Sequence, residues 1–215
     1  MTEPAITASG STPRRVTKRR AETRQRLLDA ALLVFAEEGF GRASVEDVCD
    51  RAGYTRGAFY SNFVSIDELF LAMWEQRSAA LLESVAESLE SAFNEPALSL
   101  EAGIDRILDL LPVDDLWYRI EAEFTAHALR VPSLRGVMAA REAQIAETLL
   151  PFLDHALERV DRRISDREAF AAALVAVHDG TTVQCLIEPE DPVVRRRRRD
   201  LFLAVVRAYT KENRR

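Results

Sequence analysis

Residues 44–63 read SVEDVCDRAGYTRGAFYSNF, and this stretch decides the fold. Ser44-Val45-Glu46-Asp47 has the form of a capping box, with Asp where Glu would be the stronger partner. Val45, Val48, Cys49 and Ala52 follow at i, i+3, i+4 and i+7, so a short helix buries one stripe. Gly53 ends it, and Thr55 caps a second short helix, Arg56 to Phe63, whose inward residues are Phe59 and Phe63. Two short helices across a glycine turn form the geometry that offers the second helix to a DNA major groove. Arg42, Ser44, Thr55, Arg56, Gly57, Tyr60, Ser61 and Asn62 would then be the DNA-facing residues. They combine phosphate donors with base-edge readers, and Gly57 lets the backbone come close. Spacing alone fits a plain helical hairpin with a solvated polar face as well.

Outward from this core, the chain reads as helix throughout. Its 215 residues are 47% hydrophobic and 30% charged, with only eight Gly and eight Pro. That composition excludes a disordered chain and a turn-rich β protein. A first helix runs from Arg19 to Glu38, with Leu27, Leu28, Ala31, Val34 and Phe35 on one face and Gly39 as its stop. Residues 1–17 read as a flexible basic arm. Ser65-Ile66-Asp67-Glu68 is a capping box that opens a long helix over 66–93. Further helices are predicted at about 98–111, 114–130, 133–160, 166–187 and 192–212. Breaks fall at Asn94-Glu95-Pro96, Pro112, Pro132, 161–165 and 188–192, and Pro151 kinks the longest of these helices. The expectation is an all-α fold of about nine helices, with no alternating strand pattern. It divides into the arm, a helix-turn-helix domain over 18–65 and a larger helical domain over 66–215.

The charge is unevenly placed. Residues 11–26 hold seven basic groups against Glu22 alone, whereas the net charge of the whole chain is −6. Residues 1–70 balance ten basic against ten acidic groups, so the deficit lies entirely after residue 70. A basic strip ahead of an acidic body points to local nucleic-acid contact at one end and another task for the rest. No apolar run approaches the ~20 residues of a membrane span, and the first residues lack a secretory apolar region. Cys49 and Cys185 offer neither a disulfide framework nor a zinc spacing. A cytoplasmic protein without membrane attachment is expected.

RQRLLDAALLVFAEEGFGRASVEDVCDRAGYTRGAFYSNFVSIDELF, residues 24–70, resembles the DNA-binding domain of the tetracycline-repressor (TetR) family of bacterial transcription regulators. The shared features are a first helix ending in Gly-Phe, a Ser-led second helix, the Ala-Gly turn, the Arg-Gly recognition helix and the closing Phe-Tyr-x-x-Phe. The resemblance implies a homodimeric regulator, most often a repressor, that binds a palindromic double-stranded DNA operator and is released by a small ligand; an activator or ligand-independent regulator of the same fold, or an all-α binding module without DNA readout, is the alternative. One short recognition helix buries too little for operator-grade affinity, so two must reach successive major grooves about 34–36 Å apart. In one respect the chain departs from the family. Ile66 stands where a Lys usually follows the cap of the fourth helix. The basic arm is the candidate to replace that phosphate contact.

The same resemblance assigns the last two helices to a dimer interface. Candidates are Phe170, Ala173, Leu174, Val177, Leu201, Phe202, Val205 and Tyr209, with the chain's own core as the competing destination. Arg195 to Arg199 sweeps more than a turn of helix and so forms no single basic face. Trp74, Trp117, Phe124, His127, Met138 and His178 are the large or polar side chains on otherwise apolar stretches. They are the candidates for an effector pocket that takes a small apolar or amphipathic ligand, with satisfied core histidines as the competing reading of His127 and His178. His127, His155 and His178 lie far apart without metal spacing, and no nucleophile or phosphate-loop motif occurs, so no catalysis, metal or cofactor is expected. His155 beside Asp154 reads as a surface pair.

Overall fold

The computed structural model describes residues 12–92, 99–111 and 113–213, and the side chains of 18–88, 99–111 and 113–213. The side chains of Arg14 and Arg15 and the predicted breaks at Asn94-Glu95-Pro96 and Pro112 fall outside what is described. Nine helices are present among these residues, in an all-α architecture of two compact units. The first unit runs to Trp74 and the second begins at Glu75.

The first unit contains α1 (Thr12–Glu38), α2 (Val45–Ala52), α3 (Arg56–Tyr60) and the opening turns of α4 (Ile66–Ala92). α1 begins seven residues before the expected Arg19, because Arg and Lys are good helix formers and nothing in 12–18 breaks the backbone ladder. Gly39 stops it in the left-handed region at φ 80°, which a Cβ would disfavour. The Ser44 hydroxyl accepts from the Asp47 N–H at 3.2 Å and the Ser44 N–H donates to Asp47 Oδ2 at 2.9 Å, so the box closes with Asp. At α4, Ser65 Oγ accepts from the Glu68 N–H, but the Glu68 carboxylate takes the Val64 N–H instead of that of Ser65. Leu27, Ala31, Phe35, Val48, Phe59, Phe63, Leu69 and Phe70 are fully buried or nearly so. Phe35, Phe40 and Phe70 form a chain of rings with centroids 5.2 and 5.7 Å apart. Such pairs add about 0.5–1.5 kcal/mol each to their burial, and they draw the first turns of α4 into this unit.

The second unit contains the rest of α4, then α5 (Leu100–Leu110), α6 (Asp115–Ala128), α7 (Pro132–Glu158), α8 (Arg167–Ile187) and α9 (Pro192–Tyr209). Asp114, Asp166 and Asp191 cap α6, α8 and α9 with side-chain bonds. α7 continues through Pro151. The core joins Ile104, Leu150, Leu157, Phe170, Phe202, Leu203 and Val206 from α5, α7, α8 and α9. Two strands depart from the all-helical expectation. β1 (Arg162–Ile164) pairs antiparallel with β2 (Thr210–Glu212), Arg163 opposite Lys211. Three residues are too few to show alternation, so nothing in the sequence marks them. The ribbon is tied down by Arg162, whose Nε donates to Thr210 Oγ1 at 2.7 Å. α8 is long and apolar enough to cross a membrane by length and composition, against the expectation of no such run. His178, Asp179 and the buried Thr181 and Thr182 interrupt it.

Candidate nucleic-acid interface

α3 is the candidate reader. Thr55 caps it, its hydroxyl accepting from the Ala58 N–H at 3.3 Å, and Phe59 and Phe63 anchor it inward as expected. The opposite side is open. Tyr60 is 50% exposed, its ring edge-on to Phe59 at 5.4 Å. Arg56 is exposed, forms an ion pair with Glu46 and hydrogen-bonds Tyr60. At the surface that pair is worth little, so a phosphate or guanine edge can displace Glu46. A Cβ on Gly57 would meet only Thr55 Oγ1, at 3.7 Å. The chain's own packing therefore tolerates a side chain there, and the glycine leaves room for whatever meets the helix.

Arg42 is exposed in the loop before α2. Ser44 is engaged in its cap, as Thr55 is in its own. Ser61 is exposed, with its hydroxyl donated to Gly57 O at 2.7 Å. Asn62 does not face outward. Its Nδ2 donates to Ala58 O at 2.9 Å and its Oδ1 is buried, because two residues past the helix end its amide serves the helix's own last turn. The outward set is therefore Arg42, Arg56, Gly57, Tyr60 and Ser61. A groove of about 490 Å³ between α1 and α2 is lined by Val34, Glu38, Asp47, Asp50 and Arg51. Its three carboxylates make this face unfavourable to phosphates. Cys49 is buried, and burial together with Asp50 and Glu46 pushes its thiol pKa up, which fits an inert structural role.

Sequence reasoning missed the contacts of α1 with the residues that follow α3. Arg20 Nη2 donates to Ser61 O at 2.9 Å, and the Arg24 guanidinium lies 4.7 Å from the Phe63 ring centre. Thr23 and Arg26, beside the Tyr54 phenol, lower its pKa. The i, i+4 recurrence of Arg20 and Arg24 was the only available signal.

The dimer candidates divide. Phe170 and Phe202 sit in the core of their own unit, with Leu174, Val177, Val205 and Tyr209 packed against them. Ala173 is half-buried and Leu201 is 39% exposed. Apart from Leu201, the expected stripe therefore faces inward, because the larger side chains of α8 and α9 are the ones that fill a core. The open faces carry Ala172, Ala176, Gly180 and Ile187 on α8, and Val193, Leu201, Ala204 and Ala208 on α9. The arginine run splits as its helical sweep requires. Arg199 pairs with Asp105, Arg195 donates to Pro189 O, Arg196 and Arg197 are exposed, and Arg198 is buried.

Of the effector candidates, Trp74 is buried in the first unit. Phe124 is fully buried, with its ring 6.1 Å from that of His127, and Met138 is half-buried. Trp117 donates to Glu121, and the Arg77 guanidinium, paired with Asp114, lies 4.9 Å from its ring centre. Burial, reinforced by Asp179 and Glu142, raises the Glu121 pKa to about 7. Glu123, two residues on, is exposed, as helical spacing requires. His178 lies 3.2 Å from Arg198, and burial with that guanidinium lowers its pKa to about 4. The imidazole is therefore neutral near pH 7, with Nδ1 as the acceptor. Asp154 pairs with Arg167 and not with His155, whose Nδ1 lies 4.0 Å from Glu158.

Two family models match the chain. The model for bacterial regulatory proteins of the tetR family covers residues 27–73, and the BetI-type transcriptional repressor C-terminal model covers residues 96–212. The transcriptional activator FasR of Mycolicibacterium smegmatis is 31% identical over 101 residues, 47% of this chain and 46% of that protein, so the match spans about half of its length. The nicotine-responsive repressor HdnoR of Paenarthrobacter nicotinovorans is 27% identical over 87% of this chain and 94% of its own. Among solved structures, the multidrug binding protein EbrR complexed with ethidium is 28% identical, with a TM-score of 0.62 over 86% of this chain and 98% of its own. A reading helix anchored by Phe59 and Phe63, and matches over both units, lead to one conclusion: the chain belongs to the TetR family of DNA-binding transcription regulators, a non-enzymatic family, and its second unit is of the BetI type.

Proposed function

We propose that this protein is a repressor that binds a palindromic operator as a homodimer and leaves it when a small organic cation binds the second unit. The observation that carries the reading of the ligand is the Glu121 neighbourhood. Three helices bring Glu121, Glu142 and Asp179 together beside the half-buried Trp117 ring, where burial, then Asp179 and Glu142, raises the Glu121 pKa, and burial with Glu142 raises that of Asp179. An amphipathic cation would relieve the repulsion and stack on the indole. Two relatives are named for such chemistry, one as nicotine-responsive and one complexed with ethidium. Arg77, on α4, sits against Trp117 and holds Asp114, so a ligand there acts on the helix that continues into the first unit.

The open apolar faces of α8 and α9 support the dimer. Ile187 is 73% exposed, and a Cβ on Gly180 would meet nothing, so the small residues keep a flat surface for a partner helix. Linkage requires ligand and operator to weaken each other by the same factor, typically about 5–150-fold. The test is titration with ethidium and with nicotine, read by Trp fluorescence, with and without DNA recovered by selection from promoter fragments. Binding that is weaker with DNA present, and tighter at pH 8 than at pH 6 because Glu121 must ionise, supports the reading. Affinity independent of both DNA and pH defeats it.

A further inference from the structure

Trp117 already carries a cation. The Arg77 guanidinium lies 4.9 Å from the centre of its ring, inside cation–π range. Asp114 holds it there. Its Oδ2 is the ion-pair partner of Arg77 Nη2, while its Oδ1 accepts from the Trp117 N–H at 3.2 Å. One carboxylate thus caps α6 and fixes a guanidinium against the indole one turn along. The Arg77 and Asp114 side chains are 35% and 32% exposed, so the pair is open to exchange. Asp114, Trp117 and Glu121 follow at i, i+3 and i+7 on one face of α6, so a carboxyl group stands on either side of the ring, roughly 10 Å apart along the axis. Arg77 neutralises the first. Burial keeps a proton on the second, and the Arg77 charge partly opposes that rise.

An incoming cation therefore meets a seat that is taken. We propose that Arg77 is the resident occupant of the Trp117–Asp114 seat, and that an amphipathic organic cation binds by exchanging with its guanidinium. Exchange rests on the reading of this neighbourhood as a cation site. It goes further in making binding the replacement of one cation by another: the ligand takes over the indole and the Asp114 carboxylate, and the charge at the seat is conserved. Arg77 stands on α4, three residues past Trp74, where the first unit ends. Exchange breaks the pin between α4 and the cap of α6, so the liganded and empty proteins differ in a contact made by the helix that runs on into the reader's unit. Arg77 also selects the ligand, because displacing a guanidinium paired with a carboxylate takes both a positive charge and a flat apolar body.

The test compares full-length wild type with Arg77→Met and Arg77→Ala, each checked by circular dichroism, and reads ethidium by its fluorescence without DNA. Both variants are expected to bind ethidium roughly 3- to 30-fold tighter, the combined weight of a cation–π contact and a half-exposed ion pair. Millimolar ethylguanidinium chloride is expected to compete with ethidium in Arg77→Ala, where it refills the seat, and to do no more than equal sodium chloride in wild type. Calorimetric titration with nicotine, alone and with the DNA recovered by selection, reads the pin: the factor by which DNA weakens nicotine binding should fall towards 1 in Arg77→Met. Arg77→Lys keeps the charge but not the planar fork, and it replaces the other two if they unfold, with a smaller tightening of the same sign. Ethidium affinity unchanged or weaker in the folded variants, or ethylguanidinium without effect in Arg77→Ala, overturns exchange while the cation site stands. A DNA factor that keeps its wild-type value in Arg77→Met overturns the pin. Wild-type protein that binds neither ethidium nor nicotine overturns the cation site as well.

Discussion

Replacing Glu121 by Gln is expected to expose an acid lability that the wild-type protein conceals. Burial raises the Glu121 carboxyl from an ordinary 4.5 to about 7, with Asp179 and Glu142 adding repulsion and Trp117 and Arg77 opposing it. The folded state thus holds this proton more tightly than the unfolded chain does, and stability is gained as pH falls from 7 to 4.5. A tenfold change in proton affinity is worth about 1.4 kcal/mol, which sets a ceiling of about 3 kcal/mol. Glu121 keeps some contact with solvent, so about 2 kcal/mol is the expected size. His178 acts in the opposite sense. Its pKa falls from 6.5 to about 4 through burial and the Arg198 charge, so stability is lost as pH falls through that window, by a similar amount. These two contributions nearly cancel each other in the wild-type chain from about pH 6.5 to 4.5. In Glu121→Gln the loss is uncovered. The variant should be about 2 kcal/mol more stable than wild type at pH 8, because no carboxylate is buried at that position, and should lose that margin by about pH 4.5. Asp179 is raised as well, by burial and Glu142, and is present in both proteins. Urea titrations followed by far-UV circular dichroism at steps between pH 8 and 4.5 give the curve for each protein. A Glu121→Gln curve parallel to wild type would refute the reasoning.

Other substitutions address the reader, the arm and the open faces. Arg56→Ala is expected to cost about 1–3 kcal/mol of operator binding if the guanidinium reads a base, and Tyr60→Phe less, both measured by fluorescence anisotropy; unchanged affinity in both removes them from the interface. Deleting residues 1–18 removes Arg14, Arg15 and Lys18. It should flatten the salt slope by about 0.9 per lost phosphate contact, whereas an unchanged slope makes the arm idle. Leu201→Asp and Ile187→Asp place charges on the open faces of α9 and α8, and should shift the protein to monomer in analytical ultracentrifugation with its circular dichroism intact. An unchanged sedimentation coefficient would move the dimer surface elsewhere.

Features that depend only on neighbours along the chain were legible from the residues in order. The Ser44 box, the Gly39 and Gly53 stops, the Thr55 cap and the inward Phe59 and Phe63 are of this kind, because capping and helical periodicity act over three or four residues. The departures share one physical cause, contacts between residues distant in the chain. β1 and β2 form because Arg162 meets Thr210 across 48 residues, and three-residue strands carry no pattern of their own. Phe170 and Phe202 turn inward because α5 and α7 bring Ile104 and Leu157 to them, leaving Ala176 and Gly180 outside; an amphipathic pattern cannot say which of two apolar stripes a neighbour will cover. The Glu121 neighbourhood assembles from α6, α7 and α8, and Arg198 becomes buried only because α8 offers it His178 and Thr182. Charge burial depends on the field of a whole fold, so it took the assembled helices to select which carboxyl would hold its proton near pH 7 and which histidine would refuse one.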